Sequence, residues 1–275
     1  MRNTSRTRVL VTNDDGIHSE NMRAMALALS RVADVFVFAP ETEQSGVGQS
    51  FTVRKGLRIL PVEPEPGQGA FPYQFYSVSG TPADCSKFAL GHFSRHGMSV
   101  SENDGPGVFD VCFSGINIGE NSGVSSLYSG TVAGAREAAL WNVPGIALSL
   151  RGTGSAMLQT AIDFAVTVVQ ERIFESILPG TFWNVNFPKT TPESFRGYRG
   201  TSMALGMFTD HYDHKDGLWF LDGDKLWDKA PVDSDDYLLN QGYATITAHG
   251  LDQTDCRSFE KINKVINKKI EEGGW

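Results

Sequence analysis

Three observations on this 275-residue chain predict a three-layer, doubly wound α/β fold with a mostly parallel sheet. Short, nearly continuous apolar runs recur at residues 9–11, 35–39, 109–113 and 144–150, the pattern of strands covered on both faces. Segments with apolar residues at helical spacing separate them. The first, second and third runs end in polar, Gly-containing loops, where α/β sheets place their ligand sites.

Taken in order, the first strand ends abruptly in Asn13-Asp14-Asp15-Gly16. Met22, Met25, Ala26, Leu29 and Val32 then recur at helical spacing over residues 21–33, and a second buried strand is stopped by Pro40. Strand, helix and strand within about 30 residues make a βαβ unit with a right-handed crossover. The polar loop 41–50 carries Ser45-Gly46 and Gly48. Residues 63–72, rich in Pro and Gly, read as an exposed excursion. A strand at 73–78 leads into Gly80-Thr81-Pro82-Ala83-Asp84. Here Thr81 suits the N-cap, Pro82 the first helical position and Asp84 the positive helix end. That helix is predicted to reach about Arg95, with a polar insertion over 96–106 after it.

Strand 109–113, a Gly-rich loop 114–130, an Ala-rich helix 131–141, strand 144–150, helix 156–178 and strand 182–187 complete the alternation. Beyond Pro188 the pattern changes. Residues 197–242 mix aromatic and charged residues without a clear helix, and Asp222, Asp224, Asp228, Asp233, Asp235 and Asp236 are expected to form a solvated face. Residues 243–247 have a period of two, and 259–270 form a terminal amphipathic helix. A long non-alternating extension on a compact core suits exchange between subunits.

The composition, 40% hydrophobic and 20% charged, is that of a soluble globular protein. A formal net charge of -8 argues against a nucleic-acid surface. It leaves room for a phosphorylated small substrate, because a bound cation reverses the local field. Cys85, Cys112 and Cys256 show no metal-ligand spacing, and an odd number of unpatterned cysteines points to a reducing cytoplasm. Cys112 sits within an apolar run and reads as a buried thiol. Residues 1–8 are polar and basic with no apolar segment behind them, so no signal peptide is visible. No stretch approaches the ~20 apolar residues of a membrane span.

Two adjacent acids repel each other unless a cation holds them, and Mg²⁺ or Mn²⁺ suits carboxylate oxygens. If their strands are neighbours, Asp14-Asp15, the Ser45 loop and Ser114-Gly115-Ile116-Asn117 bring two carboxylates, a hydroxyl and an amide oxygen to one cleft. Tyr128-Ser129-Gly130-Thr131 enters a helix whose free N–H groups make an anion site. A metal beside such a terminus serves phosphate-ester hydrolysis, by polarising a phosphoryl oxygen and lowering the pKa of a water. Singly, Ser45-Gly46 is a common turn and Ser129-Gly130-Thr131 an ordinary helix cap. The combination is far more specific.

These residues resemble the SurE survival proteins, metal-dependent 5′/3′-nucleotidases acting on nucleoside monophosphates. The resemblance rests on Val9-Leu10-Val11-Thr12-Asn13-Asp14-Asp15-Gly16-Ile17, Ala39-Pro40 with Gln44-Ser45-Gly46, and Gly80-Thr81-Pro82-Ala83-Asp84-Cys85. It continues through Ser114-Gly115-Ile116-Asn117, Gly119 with Asn121, Tyr128-Ser129-Gly130-Thr131-Val132, Asn184-Val185-Asn186 and residues 242–247. It implies that Asp14, Asp15, Ser45 and Asn117 ligate one Mg²⁺ or Mn²⁺ per subunit. It further implies that Asn121, Ser129, Gly130 and Thr131 surround the substrate phosphate, with Asn13 and Gly46 also in contact. Catalytic roles follow for Asp14, Asp15, Asn121, Ser129 and Thr131. The implied organisation is a Rossmann-like core over residues 1–190 and an extension over 191–275, exchanged between subunits of a homodimer or homotetramer.

Two departures stand out. Ser19-Glu20-Asn21 replaces a small, Gly-containing segment, and residues 211–220 lack the Arg and paired Tyr expected before Trp219. That second region is expected near the nucleoside, so substrate preference stays open. His211 and His214 are candidates there for base contact or acid catalysis, against the plainer reading of surface histidines.

Rival readings fit less well. A receiver-type signalling domain would need a phosphoacceptor Asp where Ser114 and Asn117 stand. A dinucleotide-dependent oxidoreductase would need three glycines in the loop that holds Asp14, Asp15 and Gly16. A haloacid-type phosphatase uses a spaced pair of Asp residues, whereas this pair is adjacent. A catalytically silent metal- or nucleotide-binding protein of the same fold is the alternative to an enzyme.

Overall fold

The structure is a computed structural model that describes residues 6–63, 73–98, 105–154, 156–206 and 208–271. The elements are β1 (Arg8–Thr12), α1 (Glu20–Ser30), β2 (Asp34–Pro40), β3 (Ile59–Pro61), β4 (Gln74–Val78) and α2 (Pro82–Phe88). A π-helical turn, Ala89–Phe93, joins α2 to the short α3 (Ser94–His96). There follow β5 (Val111–Ile118), α4 (Gly130–Leu140), β6 (Gly145–Leu150), α5 (Leu158–Gln170), β7 (Thr181–Phe187) and β8 (Tyr198–Thr201). The described residues end with β9 (His211–Lys215), β10 (Leu218–Asp222), α6 (Asp235–Asn240), β11 (Ala244–Gly250) and α7 (Cys256–Glu271).

Nine strands form one mixed sheet in the order β3-β4-β2-β1-β5-β6-β7-β11-β8. The six from β4 to β7 are mutually parallel. β3 joins one edge antiparallel, and β11 pairs antiparallel with β7 and parallel with β8 at the other. Residues beyond 190 therefore extend the core sheet through β8 and β11, while β9 and β10 form a separate hairpin.

Successive side chains of a strand face opposite ways, and here they feed two cores. Val9, Val11, Val35, Val37, Val111 and Phe113 join the core with α1 and α5. Leu10, Phe36, Phe38 and Cys112 meet α2 and the end of α4. Both faces are covered, so the strands read as continuous apolar runs. Burial pushes the Cys112 thiol up to about 12 and Cys85 well above its usual value, which leaves both inert. No helix among the described residues is long and apolar enough to cross a membrane.

The helix starts follow their sequence signals. Thr81 caps α2 in a full capping box with Asp84, and Ser129 caps α4 by accepting from Val132 N at 3.1 Å. Several expectations are corrected. The strand predicted at 109–113 runs on as β5 to Ile118, so Ser114 to Asn117 lie within a strand, with a register shift against β6. The Gly115 φ of +130° suits that shift. The helix predicted over 156–178 ends at Gln170, because Arg172 takes a left-handed conformation and a 3₁₀ turn follows. The 197–242 region contains strands β8 to β10 and helix α6.

Asp235 and Asp236 are buried, not part of a solvated face. They head α6 behind the N-cap Ser234, where a helix N-terminus stabilises negative charge. Most of the excursion at 63–72 and of the insertion at 96–106 falls outside the described residues.

Candidate active site

The strand order places β1 and β5 side by side at the centre, with the chain winding to β2 on one side and β6 on the other. That is the topological switch point, where a crevice opens beyond the carboxyl ends. A cleft of about 1290 Å³ lies there. Its inner end is lined by Asp14, Asp15, Glu43, Ser45, Gly46, Asn117, Asn121 and Ser129.

Each is held by the fold around it. Asp14 and Asp15 leave β1 together, and Gln44 N donates to Asp14 O at 2.7 Å, which ties the Ser45 loop to them. Ser45 Oγ donates to Glu43 Oε1 at 2.6 Å. Asn117 Nδ2 donates to Gly119 O at 2.7 Å, leaving its Oδ1 as an acceptor. α4 crosses this corner unusually closely, because its inner residues are small. A Cβ added at Gly130 would lie 2.9 Å from Asp14 Cβ, and one at Gly134 would lie 2.7 Å from Ser114 Oγ.

Burial dominates the electrostatics. It raises the Asp14 carboxyl, although hydrogen bonds from the Thr131 hydroxyl and backbone N–H oppose the shift. It pushes Asp15 up to about 6, with the charges of Asp14 and Glu43 adding to the effect. Asp15 Oδ2 is a buried acceptor with no hydrogen-bond partner. Two desolvated neighbouring carboxyls, one oxygen unsatisfied, a hydroxyl and a free amide oxygen make a hard, all-oxygen donor set. This set fits a divalent cation such as Mg²⁺ or Mn²⁺.

Three of the sequence-derived candidates stand behind the cleft instead of lining it. Asn13 is fully buried, and its Nδ2 donates to Gly16 O at 2.9 Å to close the acidic turn. Thr131 is fully buried with its hydroxyl proton on Asp14. Gly130 provides the close approach of α4. Its N–H is among the terminal groups available to an anion, whereas Thr131 N–H and Val132 N–H already serve Asp14 and Ser129. Asn121 is held from three directions. Its N–H donates to Asn186 Oδ1 (2.7 Å), its Nδ2 to Ser149 Oγ (2.9 Å), and its carbonyl accepts from Asn184 Nδ2 (2.8 Å).

The hairpin region, expected near the nucleoside, closes the outer cleft, but through residues other than the histidines proposed there. Phe208, Asp210, Leu221, Asp222 and Gly223 close it from the hairpin region, opposite Ile118, Glu120, Val124 and Tyr128. His211 and His214 do not line it. His211 Nδ1 lies 3.2 Å from Thr209 O, and the His214 ring lies 4.6 Å from that of Trp219. A buried clamp joins residues 204–236 to the loop that follows β5. Asp235 accepts from Gly123 N and Ala204 N, both at 2.8 Å. Lys225 Nζ lies 2.6 Å from Asp236 and donates to Ser122 O at 2.9 Å. The loop bearing Asn121 and Tyr128 is thus pinned by residues about 100 positions later. Acidic residues paired across such distance carry no local sequence signal.

Residues 9–210 match the family model described as survival protein SurE. The chain is 31% identical to the 5′-nucleotidase SurE of Pseudothermotoga lettingae over 98% of each chain. It is 33% identical to that of Thermosipho africanus over 96% of each. Among solved structures, the SurE protein from Aquifex aeolicus superposes with a TM-score of 0.75 at 28% identity, covering 94% of this chain and 99% of that one.

Proposed function

The chain belongs to the SurE family, and from that premise we propose that it is a phosphomonoesterase that releases phosphate from nucleoside 5′-monophosphates, and from 3′-monophosphates as well. The observation that carries this reading is the convergence of Asp14, Asp15, Ser45 and Asn117 with the α4 N-terminus in one cleft. Asp14, Asp15, Ser45 and Asn117 would hold one Mg²⁺ or Mn²⁺. Once bound, the cation supplies Lewis-acid polarisation of a phosphoryl oxygen and a lowered pKa for water.

The chain's own residues do the rest. Ser129 and the Gly130 N–H face the phosphate, and Asn121, locked by Asn184, Asn186 and Ser149, offers its remaining amide hydrogen. Thr131 orients Asp14 by its hydroxyl, the outer-sphere role that fixes a ligand's geometry. A water oxygen bonds to phosphorus as the ester P–O bond breaks; the water releases one proton to solvent and the departing alkoxide takes one up from solvent. Val124, Tyr128, Phe208 and Leu221 give the nucleoside an apolar seat.

We also propose that copies of the chain associate through the extension as a homodimer or homotetramer. The support is apolar surface that a lone chain leaves in water. Phe259, Ile262, Ile266 and Ile270 form one exposed stripe along α7, and Trp219 and Phe220 are exposed on the hairpin. Three unpaired cysteines support a reducing, cytoplasmic setting.

The test is phosphate release from a panel of nucleoside monophosphates with Mg²⁺ or Mn²⁺ and with excess chelator. Release that the chelator abolishes is expected. Cation binding without release from any monophosphate would establish a silent binding protein instead.

A further inference from the structure

The motif Gly80-Thr81-Pro82-Ala83-Asp84 does more than start α2. The helix cap needs one oxygen of Asp84, and Thr81 N donates to its Oδ2 at 2.9 Å. The same buried carboxylate reaches a loop 32 residues earlier in the chain. Its Oδ1 accepts from Thr52 N at 2.8 Å and its Oδ2 from Thr52 Oγ1 at 2.8 Å. A Cβ added at Gly80 would lie 2.5 Å from Asp84 Oδ2, so the glycine leaves the space this carboxylate fills.

Thr52 is the last of four successive residues held from outside. Gln49 Nε2 donates to the buried Glu137 of α4 at 3.3 Å, and Ser50 O accepts from Thr81 Oγ1 at 2.7 Å. Lys87 Nζ lies 5.2 Å from the centroid of the Phe51 ring. Glu137 is fixed in turn by Lys87 at 2.6 Å and by Trp141 Nε1 at 3.0 Å. Residues 49–52 belong to no helix or strand, so these side chains and not a ladder of backbone bonds set their path. The residues just before them enter the cleft. Gln44 N is tied to Asp14 O at 2.7 Å and Gly48 N to Tyr128 O at 2.9 Å, with Ser45 and Gly46 between the two ties.

We infer that Asp84 is a positioning residue for the cation site: by latching residues 49–52 to α2, it sets where the Ser45 hydroxyl stands against Asp14, Asp15 and Asn117. The inference deepens the phosphomonoesterase reading above and rests on it for the identity of the site. An amide at position 84 keeps the volume but offers one acceptor oxygen in place of two. A donor of Thr52 or Thr81 then loses its partner, and the loop loses its hold.

The experiment measures Mn²⁺ affinity of the full chain by calorimetry, beside phosphate release and the denaturant midpoint in excess chelator. Asp84→Asn is expected to weaken Mn²⁺ binding by about 10–100-fold, the usual cost of an outer-sphere partner. The loss should fall on the Mn²⁺ concentration needed for turnover and spare kcat at saturation. Thr52→Val, which keeps the N–H and removes the hydroxyl, should give a smaller loss in the same direction, and Thr52→Ser should restore wild-type affinity. The Thr52 pair decides alone if Asp84→Asn does not fold. A lowered unfolding midpoint with unchanged Mn²⁺ affinity in Asp84→Asn, or wild-type affinity in Thr52→Val, would reduce Asp84 to the cap of α2 and overturn the latch. Mn²⁺ binding without phosphate release by the wild type would overturn the phosphomonoesterase reading alone, because the latch is read on affinity. No Mn²⁺ binding by the wild type would overturn both.

Discussion

The two walls of the cleft are built on different principles. The inner wall stands on strand ends and a helix start. Asp14, Asn121 and Ser129 are buried, Thr131 and Asn13 are fully enclosed behind them, and neighbouring hydrogen bonds hold each in place. The outer wall stands on an exposed hairpin and its flanks, where Asp210, Leu221 and Asp222 are all open to solvent. The difference teaches where each task belongs. Holding a cation and aligning a phosphate needs atoms fixed to a fraction of an ångström by a rigid scaffold. Choosing among substrates needs only surface, which loops and hairpins carry.

The contrast breaks most severely at the acid pair. Asp14→Asn or Asp15→Asn removes one charge from the donor set. Each should lower kcat/KM for every phosphomonoester by more than the roughly 10–100-fold typical of outer-sphere partners. Phosphate release at saturating Mg²⁺ measures it, and near-normal turnover in either variant would contradict the assignment.

Next comes the clamp between residues 204–236 and the loop that follows β5. Lys225→Met leaves Asp236 buried without its cation, since both side chains are at most 5% exposed. A loss of about 3–5 kcal/mol in denaturant unfolding is expected. An unchanged midpoint would mean that the two segments are not joined there.

A smaller effect sharpens the comparison from the other side. Leu221→Ala should raise KM for a nucleoside monophosphate by up to about tenfold, the order of one lost apolar contact. It should leave hydrolysis of a small ester such as p-nitrophenyl phosphate nearly unchanged. Loss on both substrates would place Leu221 with the chemistry.

The smallest effect is a pH dependence. Without metal, Asp15 holds its proton more tightly in the folded chain, at about 6, than at the ordinary 3.8. The protonated carboxyl therefore stabilises the fold fully below about pH 4. That contribution is lost as pH rises through 6, and is on the order of 1 kcal/mol. Unfolding curves at pH 5 and 7 check this: Asp15→Asn should flatten the difference, and saturating Mg²⁺ should reverse it.

The inner wall was legible in the sequence because its residues are local. Asp14-Asp15 ends an apolar run, and Ser129-Gly130-Thr131 opens a helix, so strand and cap signals locate both. The doubly wound order followed from the same alternation. Of the outer wall only the region, residues 211–220, was legible through the family resemblance, and its lining residues were not. β8, β9 and β10 have mixed aromatic and charged residues without alternation, and Phe208, Leu221 and Asp222 meet the cleft only through tertiary packing. Nor did composition reveal that Asp235 and Asp236 are enclosed. Their partners Gly123, Ala204 and Lys225 are scattered along the chain, and a run of acids looks the same whether water or a lysine faces it. Asn184 and Asn186 were noticed as a motif, but their part in holding Asn121 appears only once β7 lies two strands from β5.

One paired measurement tests the division of labour most directly. Wild type, Asp15→Asn and Leu221→Ala are assayed on a nucleoside 5′-monophosphate and on p-nitrophenyl phosphate at saturating Mg²⁺. The expected result is that Asp15→Asn abolishes both activities, while Leu221→Ala raises KM for the nucleotide alone. Parallel losses on both substrates in Leu221→Ala, or retained turnover in Asp15→Asn, would contradict the assignment of chemistry to the strand ends and selection to the extension.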